Sequence, residues 1–403
     1  MVIPEQGIDP AFVDRSSAAR GVIIAVAAVL PVFLVSALAV QLREDLDFGT
    51  AALGGMVATY FLMSSGGSVP MGQLVEWLGA GRGMALAATL SGTSMVGAAL
   101  SQSWVQLALA LALAGAANAM AQPAANMLLS VSIPVRRLGL AFGIKQSCVP
   151  AAALLGGVAV PTIGVAVGWR WAFGLASILT VGYAGWLWVR HADRGVARRT
   201  RTGTLRDSEA PLSSLAFLTA GGFLGAAAAT SLGAFLVDSS VTAGFAPATA
   251  GWLYALLSWA TVVSRIALGW GVDRAPNRSR FAIIAVLLGI GSVGYLLLAG
   301  DNLALFVVGA VFGFVLGWAW TGIFHYTIVT WYRRAPAAAT GVVQTGLSLG
   351  AGIGPLCFGI AVDRAGYPTA WLGAGVVSLL ASATTLGARN HLRSRRGPVG
   401  RTR

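Results

Sequence analysis

The chain has 403 residues, of which 56% are hydrophobic and only 10% charged, and its mean hydropathy is +0.76. Those values exclude an ordinary soluble domain and point to an integral membrane protein. The formal charge of +13 would suit a nucleic-acid partner, but the placement of the arginines gives it another meaning.

Residues 1–20 are polar and mix acids with Arg15 and Arg20, without the basic start of a signal peptide. The first apolar run, although it ends in Ala37-Leu38-Ala39, is therefore expected to stay as an uncleaved anchor. From there the apolar runs predict twelve spans of roughly 20 residues, the length that a hydrocarbon core of about 30 Å requires. They fall near 21–41, 51–71, 83–101, 105–130, 139–163, 171–190, 213–236, 248–270, 281–299, 303–330, 338–361 and 370–388. Runs this long satisfy their backbone groups in lipid only as helices, so the predicted fold class is all-α. The expected organisation is a tail (1–20), a six-helix bundle (21–190), a polar linker (191–212), a second six-helix bundle (213–388) and a basic tail (389–403). With the spans so drawn, all 27 basic residues except Arg43, Arg170 and Arg364 lie on one side. Positive-inside placement makes that side cytoplasmic, with both termini on it, and the basic tail suits anionic headgroups better than nucleic acid.

The two bundles repeat one another. Gly143, Gln146, Ser147 and Gly156 return at a constant offset as Gly341, Gln344, Thr345 and Gly354; Arg136/Arg137 return as Arg333/Arg334 and Gly168 as Gly366. Lys145, the chain's one lysine, falls opposite Val343, so the repeat breaks at a charged residue. Glycines at four-residue spacing, Gly309/Gly313/Gly317 and Gly346/Gly350/Gly354, predict ridges along which helices approach closely. Cys148 and Cys357 are not repeat equivalents and read as small buried packing residues, not a disulfide or a metal pair.

All fourteen acidic residues fall in tails, loops or span ends. A cationic substrate or an intramembrane proton relay would ordinarily need a deep carboxylate, so both are disfavoured. The embedded ionisable groups are Lys145, Arg265 and His325. Each stands the same distance along its helix from a loop charge (Arg137, Asp273 and Arg333), roughly 12 Å at about 1.5 Å per residue, which places them in one layer. Around them lie the repeat pair Gln146 and Gln344; Asn118, Gln122 and Asn126 on one face of span four; Tyr254, Ser258 and Thr261 on the face of span eight that carries Arg265; and Trp318 on the His325 face of span ten. These stripes serve equally as a binding layer or as interhelical hydrogen bonding, and the long cations can also snorkel to the headgroups.

Twelve spans in two repeats, a basic central loop and the turn Gly269-x-x-x-Asp273-Arg274 after span eight together resemble the major facilitator superfamily over nearly the whole chain. The matching turn after span two keeps Gly72 and Gly79 but has Glu76 for the usual Asp and Trp77 for the usual Arg. The resemblance implies a bacterial inner-membrane transporter working by alternating access, with Gly72, Glu76, Arg82, Gly269, Asp273 and Arg274 in gating. It implies a small-molecule substrate, with or without a coupling proton or ion, and no enzyme activity, cofactor, metal or required protein partner. Arg265-x-x-x-Gly269-x-x-x-Asp273 is similar to span eight of monocarboxylate carriers, whose arginine grips a carboxylate, although Thr261 replaces their Asp. The expected substrate is thus a small organic or inorganic anion held by Lys145 and Arg265 from opposite halves. The alternative is a proton-linked exporter of apolar compounds, favoured by Trp318, Trp320 and Phe324 but not by Leu111, which stands where many drug exporters have an arginine. A membrane sensor is a third reading.

Overall fold

The structure, a computed structural model, describes residues 15–130, 138–191, 212–274, 279–332 and 336–395. Most of the expected linker, the outer parts of both tails and the pairs Arg136/Arg137 and Arg333/Arg334 lie outside the described residues. Every described element is helical: α1 (Arg15–Ala37), α2 (Ala39–Leu46), α3 (Thr50–Leu78), α4 (Ala80–Ala99), α5 (Trp104–Ser130), α6 (Leu138–Gln146), α7 (Cys148–Ala159), α8 (Trp169–His191), α9 (Leu212–Thr242), α10 (Pro247–Arg274), α11 (Arg280–Leu298), α12 (Leu303–Ala310), α13 (Trp320–Trp331) and α14 (Pro336–Arg395). Two π-helical segments, Val160–Gly164 and Val311–Leu316, continue α7 and α12.

Among the described residues nine helical stretches are long and apolar enough to cross a membrane. One of them, α14, is two helices joined at Gly366, whose φ of 77° breaks the helical run. The α2–α3 pair, bent by 114°, and the more polar α4 bring the count to the expected twelve.

The repeat is visible in the backbone. Gly168 and Gly366 both adopt positive φ at the joints after spans five and eleven, and Asp47 and Gly244 do so after spans one and seven. A left-handed residue stops a helix without a Cβ penalty when it is glycine, and Asp is among the few side chains that tolerate the position.

The predicted glycine ridges are the packing seams. On α14, Gly346, Gly350 and Gly354 lie against the backbone of Thr219, Phe223 and Ala227 of α9. Gly309, Gly313 and Gly317 meet Gly294 and Gly291 of α11. Between the halves, Gly54 of α3 abuts Pro355 of α14, and Gly157 of α7 abuts Ala255 of α10.

The apolar core has an asymmetric shape. Toward the face that carries Arg43, Asp45 and Asp363, one continuous cluster joins both halves, with Phe33, Leu38 and Tyr60 packed in the same core as Phe235, Tyr254 and Phe358. Toward the arginine-rich face the core splits in two. Ile24, Met84 and Met120 belong to the first half alone, while Leu218, Ile284 and Phe324 belong to the second. We call these the joined face and the basic face. Two details differ from expectation. Cys357 is exposed, where a buried packing residue was predicted. Asp238 is not at a free span end: α9 runs on to Thr242, and the carboxylate is only 5% exposed, bonded to Arg43 and Tyr367.

Candidate functional site

Span five breaks in the middle because of its sequence. Gln146 would give its carbonyl to the amide four residues on, but that residue is Pro150, which has no N–H. The helix stops at Gln146 and resumes at Cys148, and the freed carbonyl needs a donor. Arg265 of α10 supplies it: one guanidinium nitrogen, Nη1, bonds the Gln146 oxygen, and Nη2 bonds the carbonyl of Trp318 at 2.8 Å. Trp318 lies in the second irregular stretch, between the π-helical segment and α13. One arginine thus ties together the broken middles of spans five and ten.

Arg265 is 2% exposed and forms no ion pair among the described residues. Its Nε is buried without a hydrogen-bond partner, as is the Thr321 hydroxyl. Lys145 is half-buried, and among the described residues its ammonium has no hydrogen-bond partner. Lys145 and Arg265 are both charged neighbours of His325. Three groups capable of positive charge therefore share one neighbourhood inside the protein, and no carboxylate among the described residues shares it.

His325 is held by both repeat glutamines. Gln146 reaches its Nδ1 at 3.1 Å and Gln344 its Nε2 at 3.0 Å, while Phe142 lies nearly parallel to the ring, with centroids 6.5 Å apart. Toward the joined face the site is roofed by aromatics. Trp318 lies over the Arg265 guanidinium at 5.4 Å and packs on Phe314 and on Phe33 of α1.

The remaining predicted residues are placed elsewhere. Asn118 donates to Ser64 at 2.8 Å and Gln122 to Asn118 at 3.2 Å, which joins α5 to α3 within the first half. Asn126 lies on α5, its side chain outside the described residues. Tyr254 donates to the Gly233 carbonyl, Ser258 to that of Tyr254, and Thr261 to those of Leu257 and Phe314. The face of span eight carrying Arg265 is thus a packing surface, apart from Arg265 itself. Of the gating set, Asp273 accepts a bond from the Leu140 amide at 2.9 Å, at the N-terminus of α6, so a second-half acid caps a first-half helix at the basic face. Gly269 is buried beside it on α10; Gly72, Glu76 and Arg82 flank the α3–α4 turn, and Arg274 stacks on Trp270 at 3.5 Å.

Sequence reasoning missed Phe33 and Phe142, which look like ordinary core residues, and missed the joined-face contacts. There Arg43 pairs with Asp238 at 2.7 Å, and Asp363 caps α3 from α14. The residue before α3 is Gly49, which has no side chain to cap with. Asp363 accepts instead from the Thr50 hydroxyl and from the amides of Thr50 and Ala51, at 3.2 and 2.9 Å. Partial burial pulls its carboxyl upward, but these bonds outweigh it and hold the group below its ordinary value of 3.8. A depressed carboxylate contributes above that value and loses its contribution as the pH falls through the lowered one, so this cap is intact at neutral pH. Asp363→Asn should loosen the joined face at neutral pH and make little difference in acid, where the wild-type carboxyl is itself protonated. In a Cys148→Ala, Cys357→Ala background, a cysteine at buried Leu53 should then react with a thiol reagent roughly two- to fivefold faster, given about 0.3–1 kcal/mol for a charge at a helix N-terminus. An unchanged rate would remove the cap from the closure.

Comparison with known proteins bears on the family and the fold. The sequence pattern of the Major Facilitator Superfamily is matched over residues 21–335 and again over 218–402. The uncharacterized MFS-type transporter Rv2994 of Mycobacterium tuberculosis is 25% identical over 348 residues, covering 81% of this chain and 73% of its own. Two crystal structures of a bacterial homolog of the human lysosomal transporter Spinster share the fold. The inward-facing occupied form has a TM-score of 0.72 at 15% identity, covering 95% of this chain and 98% of its own. The inward-facing unoccupied form has a TM-score of 0.74 at 14% identity, covering 96% and 98%. With twelve membrane helices in two repeats and a family match from end to end, the chain is a membrane transporter and not an enzyme, and it belongs to the major facilitator superfamily.

Proposed function

We propose that this transporter carries a small organic or inorganic anion by alternating access, with Lys145 and Arg265 supplying the counter-charge from opposite halves. The observation that carries this reading is the buried Arg265 guanidinium, which among the described residues has carbonyl partners but no carboxylate, and an Nε with nothing to bond. A buried charge is costly unless paired. An anion seated against Arg265 and Lys145 supplies the missing partner. The split core marks the basic face, which positive-inside placement makes cytoplasmic in a bacterial inner membrane, as the less tightly closed of the two, although α6 still meets α10 there through Asp273 and Gly143. Alternation then requires the joined face to part and the basic face to close. The exporter reading retains Trp318, while Trp320 and Phe324 are buried in the core of the second half, Phe324 with its ring edge-on to His325.

The test is the thermal stability of purified protein against a panel of chloride, inorganic phosphate, acetate and benzoate. A ligand at about 100 times its Kd adds about 2.7 kcal/mol to the folded state, a clear rise in Tm. Carboxylates should stabilise wild type and fail to stabilise Lys145→Ala. Equal shifts in both proteins, or none with any anion, would sink the reading.

Gating is tested separately. Asp273→Asn removes the charge from the α6 cap, so the basic face should open further, by roughly two- to fivefold in population. Spin labels at exposed Val69 and Val342, one in each half, should report a longer mean distance. An unaltered distance distribution would show that Asp273 does not latch the halves.

A further inference from the structure

His325 stands on α13, 7% exposed, between glutamines that the internal repeat makes equivalent. The amide nitrogen of Gln146 approaches Nδ1 from the first half, and the amide oxygen of Gln344 faces Nε2 from the second. The carbonyl of Thr321, one turn earlier on the same helix, lies 2.9 Å from Nδ1. Each ring nitrogen therefore faces an acceptor. A neutral imidazole has a single N–H and can serve only one of them. With its proton on Nε2 it donates to Gln344 and accepts from Gln146, leaving the Thr321 oxygen against a lone pair. An imidazolium satisfies both acceptors, because the new N–H on Nδ1 donates to Thr321. The amide N–H of Gln146 then meets another donor and must turn away.

We propose that His325 is a proton-binding site, and that its proton is taken up together with the anion of the proposed function, on which the coupling rests. The charged groups whose field reaches the ring are Lys145 on α6 and Arg265 on α10. Span eleven contributes the neutral Gln344, bonded in turn to Ser348 at 3.3 Å, and no carboxylate among the described residues faces the ring. Two positive charges oppose a third. An anion bound against them removes that opposition, and by linkage the proton strengthens anion binding by the same factor. Gln344 is exposed, so the hydrogen-bonded chain runs from the buried ring to the surface of the protein. Gln146 is the last residue of α6, and its carbonyl holds Arg265. Displacing its amide therefore acts on the broken middle of span five, where the two halves touch.

The experiment uses the full chain with His191→Gln and His391→Gln, which leaves His325 as the sole histidine, labelled with ¹⁵N and reconstituted in liposomes. Ring ¹⁵N spectra are taken between about pH 5 and 8, the range in which imidazole titrates. The neutral ring should show its proton on Nε2 and give way to imidazolium on acidification. At a given pH the ratio of imidazolium to neutral ring should rise about tenfold in Lys145→Ala, which removes one opposing charge, and should rise severalfold in the parent on adding acetate or inorganic phosphate. A ring that stays neutral across the range in both proteins overturns the proposal. A ring that titrates in both but ignores both anions keeps the proton site, overturns the joint uptake, and places the failure in the anion reading.

Discussion

Arg265→Met should abolish stabilisation by carboxylates, a loss of at least about a hundredfold in affinity, while changing the stability of the unliganded protein by no more than about 2 kcal/mol. The two halves of this expectation rest on different energies. A carboxylate gripped through charge-assisted bonds gains about 1.5–3 kcal/mol from each, and two such bonds account for the loss of binding. For the unliganded fold the terms oppose. Methionine gives up the bonds to the Gln146 and Trp318 carbonyls and leaves both oxygens unserved. It also removes an unpaired buried cation, whose effective desolvation penalty is several kcal/mol. Terms of similar size and opposite sign leave little net. A purely structural arginine would give the reverse pattern, a large fall in Tm with anion binding intact. Arg265→Lys separates charge from shape. It keeps the cation but loses the planar fork, so it should weaken acetate and benzoate more than chloride. Thermal shift and equilibrium binding on the same preparations decide between these outcomes.

Gly350→Ala should be the most damaging Gly→Ala change among the described glycines. A Cβ at Gly350 would stand 2.0 Å from the carbonyl oxygen of Phe223 and 2.7 Å from its carbon. Both are backbone atoms of α9, so no rotamer change relieves the clash and the helices must separate. Ordinary overpacking costs about 1–3 kcal/mol, and a clash with backbone lies at or above the upper end. Separation would also strip contact from Gly346 and Gly354, one turn away on either side. The expected result is a marked fall in the yield of monodisperse protein and in Tm. Gly72→Ala and Gly271→Ala, where a Cβ meets nothing within 4 Å, serve as controls. A Gly350→Ala protein as stable as these controls would show that the α9–α14 seam has slack.

The helix caps at the two faces share a chemistry that neither half reveals alone. Asp273 caps α6 at the basic face and Asp363 caps α3 at the joined face, each an acid of the second half at the start of a first-half helix. The positive end of a helix attracts a carboxylate wherever it comes from. A cap supplied from the other half is therefore lost when the halves part, which makes it a contact that senses their relative position.

The primary sequence by itself determined the membrane class, the twelve spans and the repeat, and it singled out the embedded ionisable residues. A bilayer imposes long apolar runs and makes every internal charge conspicuous, and both are properties of the chain read one residue after another. The glycine ridges were legible for the same reason, since helical periodicity converts spacing into a face. Tertiary structure alone decided which groups meet. Pro150 announces that the Gln146 carbonyl is free, yet nothing local says that Arg265 reaches it from α10. Asn118 and Gln122 have the look of a binding stripe, and packing directs them to Ser64 within their own half. Asp238 resembles a loop acid until α9 is seen to carry it into a buried pair with Arg43. In each case a polar group must find a partner once it is buried, and the choice among chemically equivalent partners is made by how the helices are arranged in space.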